Sequence, residues 1–275
     1  MPLVDIEDFY PYSFLPQHRY GYDKPPHVLL DRMFAKGLDE YQALVQEFAG
    51  YADDLRKISR QPSISDPSMP CWDNGWFPAM DGIALFGLIS YLKPARYFEV
   101  GSGNSTKYAA LAKRTNSPST LIVSIDPAPR AEIESLCDFI IREPFQNVSA
   151  EFMARLMPGD ILFIDGSHRV LQNSDVSVFY MEVLPLLKPG VLIGQHDIVL
   201  PYDYHADWGK RMYSEQYMLA SVLLAAEEKF DIIFPTFYLS ELHPERLRPV
   251  MDAVWSSPNL RGIPPFGSSF WMMKK

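Results

Sequence analysis

The chain has 275 residues, enough for one large domain or a domain with an extension, and too many for a disulfide-held mini-protein. Apolar residues make up 47% and aromatic residues 13%, which excludes a disordered chain. The net charge of -9 leaves no basic excess to displace counterions from a phosphate backbone, so no nucleic-acid partner is expected. Cys71 and Cys137 lack metal-ligand spacing and are too few for a disulfide framework, which points to a reducing, cytoplasmic setting. The longest apolar run, 218–226, is too short to span a bilayer, and the opening MPLVDIEDFY lacks the basic and apolar parts of a signal peptide. No membrane partner is expected.

The first 28 or so residues are rich in Pro, Tyr and Phe and read as an aromatic arm that wraps onto the rest of the chain. From Leu38 to Ile58, apolar residues at three- and four-residue steps predict one amphipathic helix. Residues 61–78 have loop chemistry, and Asp81 to Leu92 predicts a mostly buried helix stopped by Lys93-Pro94. Beyond Pro94, short apolar runs alternate with helical segments. Strands are predicted at Tyr97–Val100, Leu121–Ile125, Phe139–Ile141, Ile161–Ile164 and Val191–Ile193, with helices at Asn104–Arg114 and Ser174–Leu187 between them. A helix at Glu215–Lys229 leads to a strand at Asp231–Phe234, and Ser268–Met273 supplies a last strand able to insert antiparallel. The fold class is therefore α/β, a doubly wound and mostly parallel seven-stranded sheet. Residues 1–78 form a helical and aromatic extension or lid, and 79–275 the main domain. Ligands of such sheets bind at the carboxyl ends of the strands.

Three strand ends carry chemistry. The run Glu99-Val100-Gly101-Ser102-Gly103-Asn104-Ser105-Thr106 leaves a strand and opens a helix, so the glycines allow a tight turn and close approach of a ligand. Thr106 stands where a dinucleotide fingerprint has its third glycine. A carboxylate at Glu99 repels phosphate but attracts a cation, such as a ligand bearing ammonium and sulfonium centres. Asp126 ends the next strand, where an acid accepts both hydroxyls of a ribose. Asp165-Gly-Ser-His168 ends the fourth predicted strand and His196-Asp197 the fifth, so these four side chains converge on one crevice. His168 has the intrinsic pKa of a general base.

The sequence resembles the class I S-adenosylmethionine-dependent methyltransferases. Their acidic-x-Gly-x-Gly signature matches Glu99 to Gly103, their second-strand acid matches Asp126, and their turn before the fifth strand matches Leu187-Lys188-Pro189-Gly190; the likeness covers roughly 79–275. It implies a Rossmann-like fold with S-adenosyl-L-methionine as cofactor. Glu99, Gly101, Gly103, Asn104 and Ser105 would hold the methionine part, Asp126 the ribose, and Asp165 would border the cofactor. The pairing of Asp165-x-x-His168 with His196-Asp197 is similar to the metal-dependent macrolide sugar O-methyltransferases and the cephalosporin-hydroxylase-like group. That likeness implies His168, Asp165 and His196 as catalytic residues, and Asp165, His196 and Asp197 as ligands of Mg²⁺ or another divalent metal. His196 departs from the acidic pair of the macrolide enzymes, which leaves a metal-free enzyme with His168 or His196 as base open as well. The run from Asp165 to Val176, with His196 to Tyr202 and Glu215-Gln216-Tyr217, also resembles a group of uncharacterised bacterial methyltransferases.

The expected function is methyl transfer to a hydroxyl of a sugar-like or other small polar acceptor, by a protein able to form a homo-oligomer. Tyr202, Asp203, Tyr204, His205, Asp207 and Trp208 are expected on one wall of the entrance, and Trp72, Asn74, Trp76, Phe77 and Asp81 on the other, with packing against the core as the alternative for the aromatic residues. Two rival functions remain: a non-catalytic regulatory protein that binds S-adenosylmethionine or S-adenosylhomocysteine, and a nicotinamide-dependent oxidoreductase. In purely structural roles, Asp165 would cap the following turn and His196 would orient Asp197.

Overall fold

The computed structural model describes residues 17–275. Helices α1 (Val28–Ala35), α2 (Leu38–Ala49), α3 (Ala52–Leu55) and α4 (Ala79–Leu92) precede an alternating region. This runs β1 (Arg96–Val100), α5 (Asn104–Asn116), β2 (Leu121–Ile125), β3 (Phe139–Ile141), α6 (Ala150–Met153), β4 (Ile161–Ile164), α7 (Asp175–Val178), α8 (Leu184–Leu186) and β5 (Leu192–Gln195). Helices α9 (Ala206–Lys210) and α10 (Glu215–Ala225), strand β6 (Phe230–Pro235), α11 (Arg248–Val250) and strand β7 (Phe270–Lys274) complete the chain. One seven-stranded sheet has the order β3-β2-β1-β4-β5-β7-β6. The strands β1 to β5 pair in parallel, and β7 inserts antiparallel between β5 and β6, as expected from the last apolar run.

The near-continuous apolar character of β1, β4 and β5 follows from burial on both faces. On one face α2, α4 and α5 pack with residues 247–260; on the other lie α1, α6, α7 and α10. Helix α4 is buried from Ala79 through Ser90, so it reads as apolar all round, with Asp81 the one charge inside it. Trp271 of β7 stacks on Phe163 of β4 with ring centroids 5.3 Å apart.

The chain departs from the sequence pattern in several places. The helix expected from Leu38 to Ile58 is broken at Gly50, whose weak helix propensity lets the chain turn before α3. The expected 174–187 helix contains a π-helical turn at Phe179–Val183, and the helix from Glu215 stops at Ala225 instead of Lys229. Helix α1 and the helical turns between Tyr238 and Trp255 have no counterpart in the expectations, because proline-rich surroundings hide their short periods. Residues 1–16 of the expected arm lie outside the described residues. Residues 18–27 pack on the 201–205 segment: the backbone N–H groups of Arg19 and Tyr20 donate to the Asp203 carboxylate at 2.5 and 2.9 Å.

Tyr41, Val45, Phe48 and Leu55 of the expected extension belong to the same core cluster as Ile83, Tyr97 and Trp271. Phe48 is fully buried, with its ring 5.1 Å from that of Phe234. Phe48→Ala is therefore expected to cost about 3–5 kcal/mol in urea unfolding while leaving a single cooperative transition. A variant that unfolds in two steps, with the sheet transition unmoved, would show an independent extension.

Candidate active site

The switch in strand order between β1 and β4 opens a cleft of about 970 Å³ at the carboxyl ends of the strands. Its first rim is the loop after β1. Gly101 has φ +80, and a Cβ there would sit 1.8 Å from the Asp165 carbonyl oxygen, so this turn and the turn after β4 touch backbone to backbone. A Cβ at Gly103 would meet nothing within 4 Å, so the glycine leaves the cleft open. The Ser102 N–H donates to Asp126 Oδ2 at 2.8 Å, fixing the acid at the end of β2 against the loop. Pro127, Ala128, Pro144, Phe145 and Gln146 continue the wall past Asp126.

Gly101, Gly103, Asn104, Asp126 and Asp165 line this cleft as expected, whereas Glu99 and Ser105 do not. Glu99 is fully buried behind the loop. It accepts hydrogen bonds from Tyr97 Oη, at 2.8 Å, and from Thr106 Oγ1. Thr106 in turn accepts the Gly103 N–H at 2.9 Å, so the residue in place of a third glycine ties the strand end to the helix start. Ser105 is buried among the same groups, one of the donors that hold down the Glu99 pKa. Burial still pushes the Glu99 carboxyl up to about 7. The negative cradle expected at Glu99 is thus an internal brace, and the acids lining the cleft are Asp126, Glu132, Asp165, Asp175 and Asp197.

Beyond Asp165 the cleft ends in a charged cluster. Asp165 Oδ1 lies 3.3 Å from His168 Nε2 and 3.2 Å from His196 Nδ1. Asp197 reaches both rings, Oδ2 at 3.5 Å from His168 Nε2 and Oδ1 at 3.4 Å from His196 Nδ1. Behind His196 is the fully buried Asp81, Oδ2 at 3.3 Å from Nε2; behind His168 is the fully buried Glu215, Oε2 at 3.0 Å from Nδ1. His168 and Asp197 both adopt left-handed backbone conformations, φ 58 and 54, a sparsely populated region for non-glycine residues. The turn that carries His168 is held by Asp175, which accepts the Ser167 N–H at 2.6 Å. The four residues expected to converge do so.

Burial alone would lower the pKa of each imidazole, but the surrounding carboxylates outweigh it. Asp165, Glu215 and Asp197 raise His168 well above its usual value, and Asp165, Asp197 and Asp81 do the same for His196. Burial would raise Asp165, yet the two imidazoles hold it below the usual carboxylate range; burial raises Asp197 despite them. Asp81 is also kept low against its burial, by His196 and by the Ser268 and Ser269 N–H groups, which donate at 2.8 Å.

This arrangement bears on the divalent ion implied for Asp165, His196 and Asp197. Among the described residues no group of three or more His, Cys, Asp or Glu side chains is disposed to hold a metal ion. Both ring nitrogens of His196 face carboxylates, Nδ1 toward Asp165 at 3.2 Å and Nε2 toward Asp81 at 3.3 Å, so neither presents an unobstructed lone pair to an ion. The side chains as arranged do not fit such an ion.

The aromatic walls are also sparser than expected. Of the two expected sets only Trp76 and Trp208 line the cleft, joined by Arg130, Arg211 and Tyr213. Tyr202 packs on Phe237, Tyr204 packs on Trp208, Tyr213 and Tyr217, and Asp203 anchors residues 19–20. Trp72 and Phe77 are buried against Tyr108, and Asn74 caps its own turn by accepting the Phe77 N–H at 2.7 Å. These side chains are core and turn chemistry. Asp81, Asp175 and Glu215 are the residues that sequence reasoning left out of the cluster. For Asp81 a signal existed, a lone acid in an otherwise apolar helix.

Residues 98–198 match a family model described as a methyltransferase domain, and the sheet order above is that of a Rossmann-like methyltransferase fold. No curated protein matches. Among solved structures, an O-methyltransferase from Bacillus cereus in complex with SAH is 14% identical, with 85% of this chain and 91% of that chain covered and a TM-score of 0.38. MycE methyltransferase from the mycinamycin biosynthetic pathway, in complex with Mg, SAH and mycinamycin VI, is 23% identical over 49% of this chain and 39% of that one, TM-score 0.34. The O-methyltransferase TomG from Streptomyces achromogenes, involved in tomaymycin synthesis and in complex with SAM, is 13% identical over 72% and 80%, TM-score 0.34. The likeness at these scores is general, and no residue assignment rests on it. No helix among the described residues is long and apolar enough to cross a membrane.

The raised pKa of Glu99 has a sign that can be checked. Its folded value of about 7 exceeds the reference 4.5, so its contribution to stability is full below pH 4.5 and is lost as pH rises through 7. Glu99→Gln should therefore gain melting temperature relative to the parent between pH 5 and 8. Parallel melting curves across that range would contradict a buried, reluctantly ionised Glu99.

Proposed function

We propose that this methyltransferase moves the methyl group of S-adenosylmethionine to a hydroxyl oxygen of a small polar acceptor of the sugar type, with His168 as the base. The supporting observation is the position of His168: its Nε2 faces Asp165 and Asp197 at the end of the same cleft that Gly101, Gly103 and Asp126 line. The cleft fits the donor: Gly103 leaves open space at the loop, Asp126 is oriented by the Ser102 N–H to receive a ribose, and the exposed faces of Asp165 and Asp197 favour a sulfonium over a phosphate. When bound, the donor supplies an electrophilic methyl on a positively charged sulfur.

The chain's own task is then positional and acid–base. Tyr213, 4.7 Å from the His168 ring, and Trp208 packed against it border the space next to His168 and exclude water from one side of the acceptor. As the oxygen–carbon bond forms, the carbon–sulfur electron pair returns to sulfur, and the hydroxyl proton passes to His168 Nε2. Asp165 and Asp197 stabilise the resulting imidazolium. Because those carboxylates raise the His168 pKa, the free protein holds the ring protonated near neutral pH, and the active form grows as pH rises.

The test uses the full chain. S-adenosylhomocysteine, and not NAD, should raise the melting temperature by mass action. With S-adenosylmethionine and a panel of hexose glycosides and simple phenols, SAH release should accompany an O-methylated product and increase toward alkaline pH. His168→Ala should lower turnover about 10²- to 10⁴-fold while keeping the SAH-induced melting shift. Undiminished turnover in that variant would remove His168 from its role, a methyl group on nitrogen would overturn the oxygen acceptor, and stabilisation by NAD would favour the oxidoreductase.

A further inference from the structure

Glu215, like Asp81, belongs to the cluster without lining the cleft. It is the first residue of α10, fully buried, with Oε2 3.0 Å from His168 Nδ1, while its other oxygen, Oε1, has no hydrogen-bond partner among the described residues. A buried carboxylate with an idle oxygen carries a desolvation cost that packing does not offset, so an apolar residue would serve a purely structural position better. The backbone around it points the same way. The N–H groups of Ser214 and Glu215 donate to the His168 carbonyl at 2.8 and 3.2 Å, locking the start of α10 to the left-handed turn that carries the histidine. The Tyr213 ring lies 4.7 Å from the imidazole and limits its rotation.

We infer that Glu215 is a positioning residue for His168: it holds the neutral imidazole with its proton on Nδ1, leaving the Nε2 lone pair aimed into the cleft. The assignment rests on the reading of His168 as the base. Without Glu215 the opposite tautomer would prevail, because Asp165 and Asp197 both face Nε2 and would draw the proton there, where it blocks proton uptake. The charged groups facing His168 are Asp165 from the turn after β4, Asp197 from the turn after β5, and Glu215 from α10. Glu215 is the only one of these three on the Nδ1 side. The three carboxylates are thus unequal, two competing for one nitrogen and one deciding the outcome from the other.

The experiment is nitrogen NMR of the full chain labelled at histidine, with the His168 signals assigned through His168→Gln and the sample titrated to the alkaline side. The parent should show the Nδ1–H tautomer of neutral His168. Glu215→Leu should switch it to Nε2–H. Glu215→Gln, which keeps an acceptor oxygen, should restore Nδ1–H. With the acceptor that gives the most SAH in the panel above, Glu215→Leu should lower kcat about 10- to 100-fold at unchanged KM, with part of the loss recovered in Glu215→Gln. The SAH-induced melting shift should stay the same in all three. If Glu215→Leu does not fold, Glu215→Met, matched in length, makes the same comparison. An Nε2–H tautomer in the parent overturns the inference without any variant, as does one tautomer common to the parent and the apolar variants. Normal turnover in His168→Ala beside the predicted tautomers would instead sink the base reading and leave the hold of Glu215 on the ring intact.

Discussion

The backbone contact between Gly101 and the carbonyl of Asp165 sets the geometry of everything around it. Only a residue without a side chain lets the turn after β1 close onto the turn after β4, since a Cβ there would lie 1.8 Å from that oxygen. The contact joins two chemically different halves. On one side, Gly103, Ser102 and Asp126 line the cleft, with the Ser102 N–H holding the Asp126 carboxylate. On the other, Asp165 begins the cluster of two imidazoles and four carboxylates. In the proposed reaction a methyl donor seated on the first half has its reactive end toward the second.

The cluster is built from depth outward. Asp81 and Glu215 are fully buried, each behind one histidine, and Asp165 and Asp197 stand in front, facing both. Asp81 is well solvated by protein, with two backbone N–H donors and the Thr236 hydroxyl at 2.7 Å, so it is a settled anion that keeps His196 charged. Glu215 has only His168. The two histidines therefore differ in what stands behind them: His196 is backed by the well-solvated Asp81, and His168 by Glu215, whose second oxygen has no hydrogen-bond partner among the described residues. This difference is consistent with His168 acting as base in the proposed reaction, while both His196 nitrogens face carboxylates.

Much of this was legible in the sequence, for reasons that are local. The parallel strands are continuous apolar runs, and the residues just past them, Gly101, Asp126, Asp165, His168, His196 and Asp197, must gather at one edge of a doubly wound sheet. What stayed hidden depended on which way a side chain turns after the strand ends. Glu99 sits at the last inward-facing position of β1 and points behind the loop, to Tyr97 and Thr106, so an acid in the right motif faces away from the ligand side. Asp81 and Glu215 lie on helices 115 and 47 residues from their respective histidines, His196 and His168, and no spacing rule connects them. The aromatic residues at 202–204 look like a binding wall in sequence, but they are used to anchor residues 18–27 and α10.

The central claim is that the cleft delivers the methyl donor to the His168 side of the Gly101–Asp165 contact. A crystal structure of the full chain with S-adenosylhomocysteine tests it most directly. The account predicts the ribose hydroxyls on Asp126 and the sulfur facing His168 Nε2 across the front of Asp165. A nucleoside bound elsewhere, or a sulfur turned away from the two histidines, would contradict it.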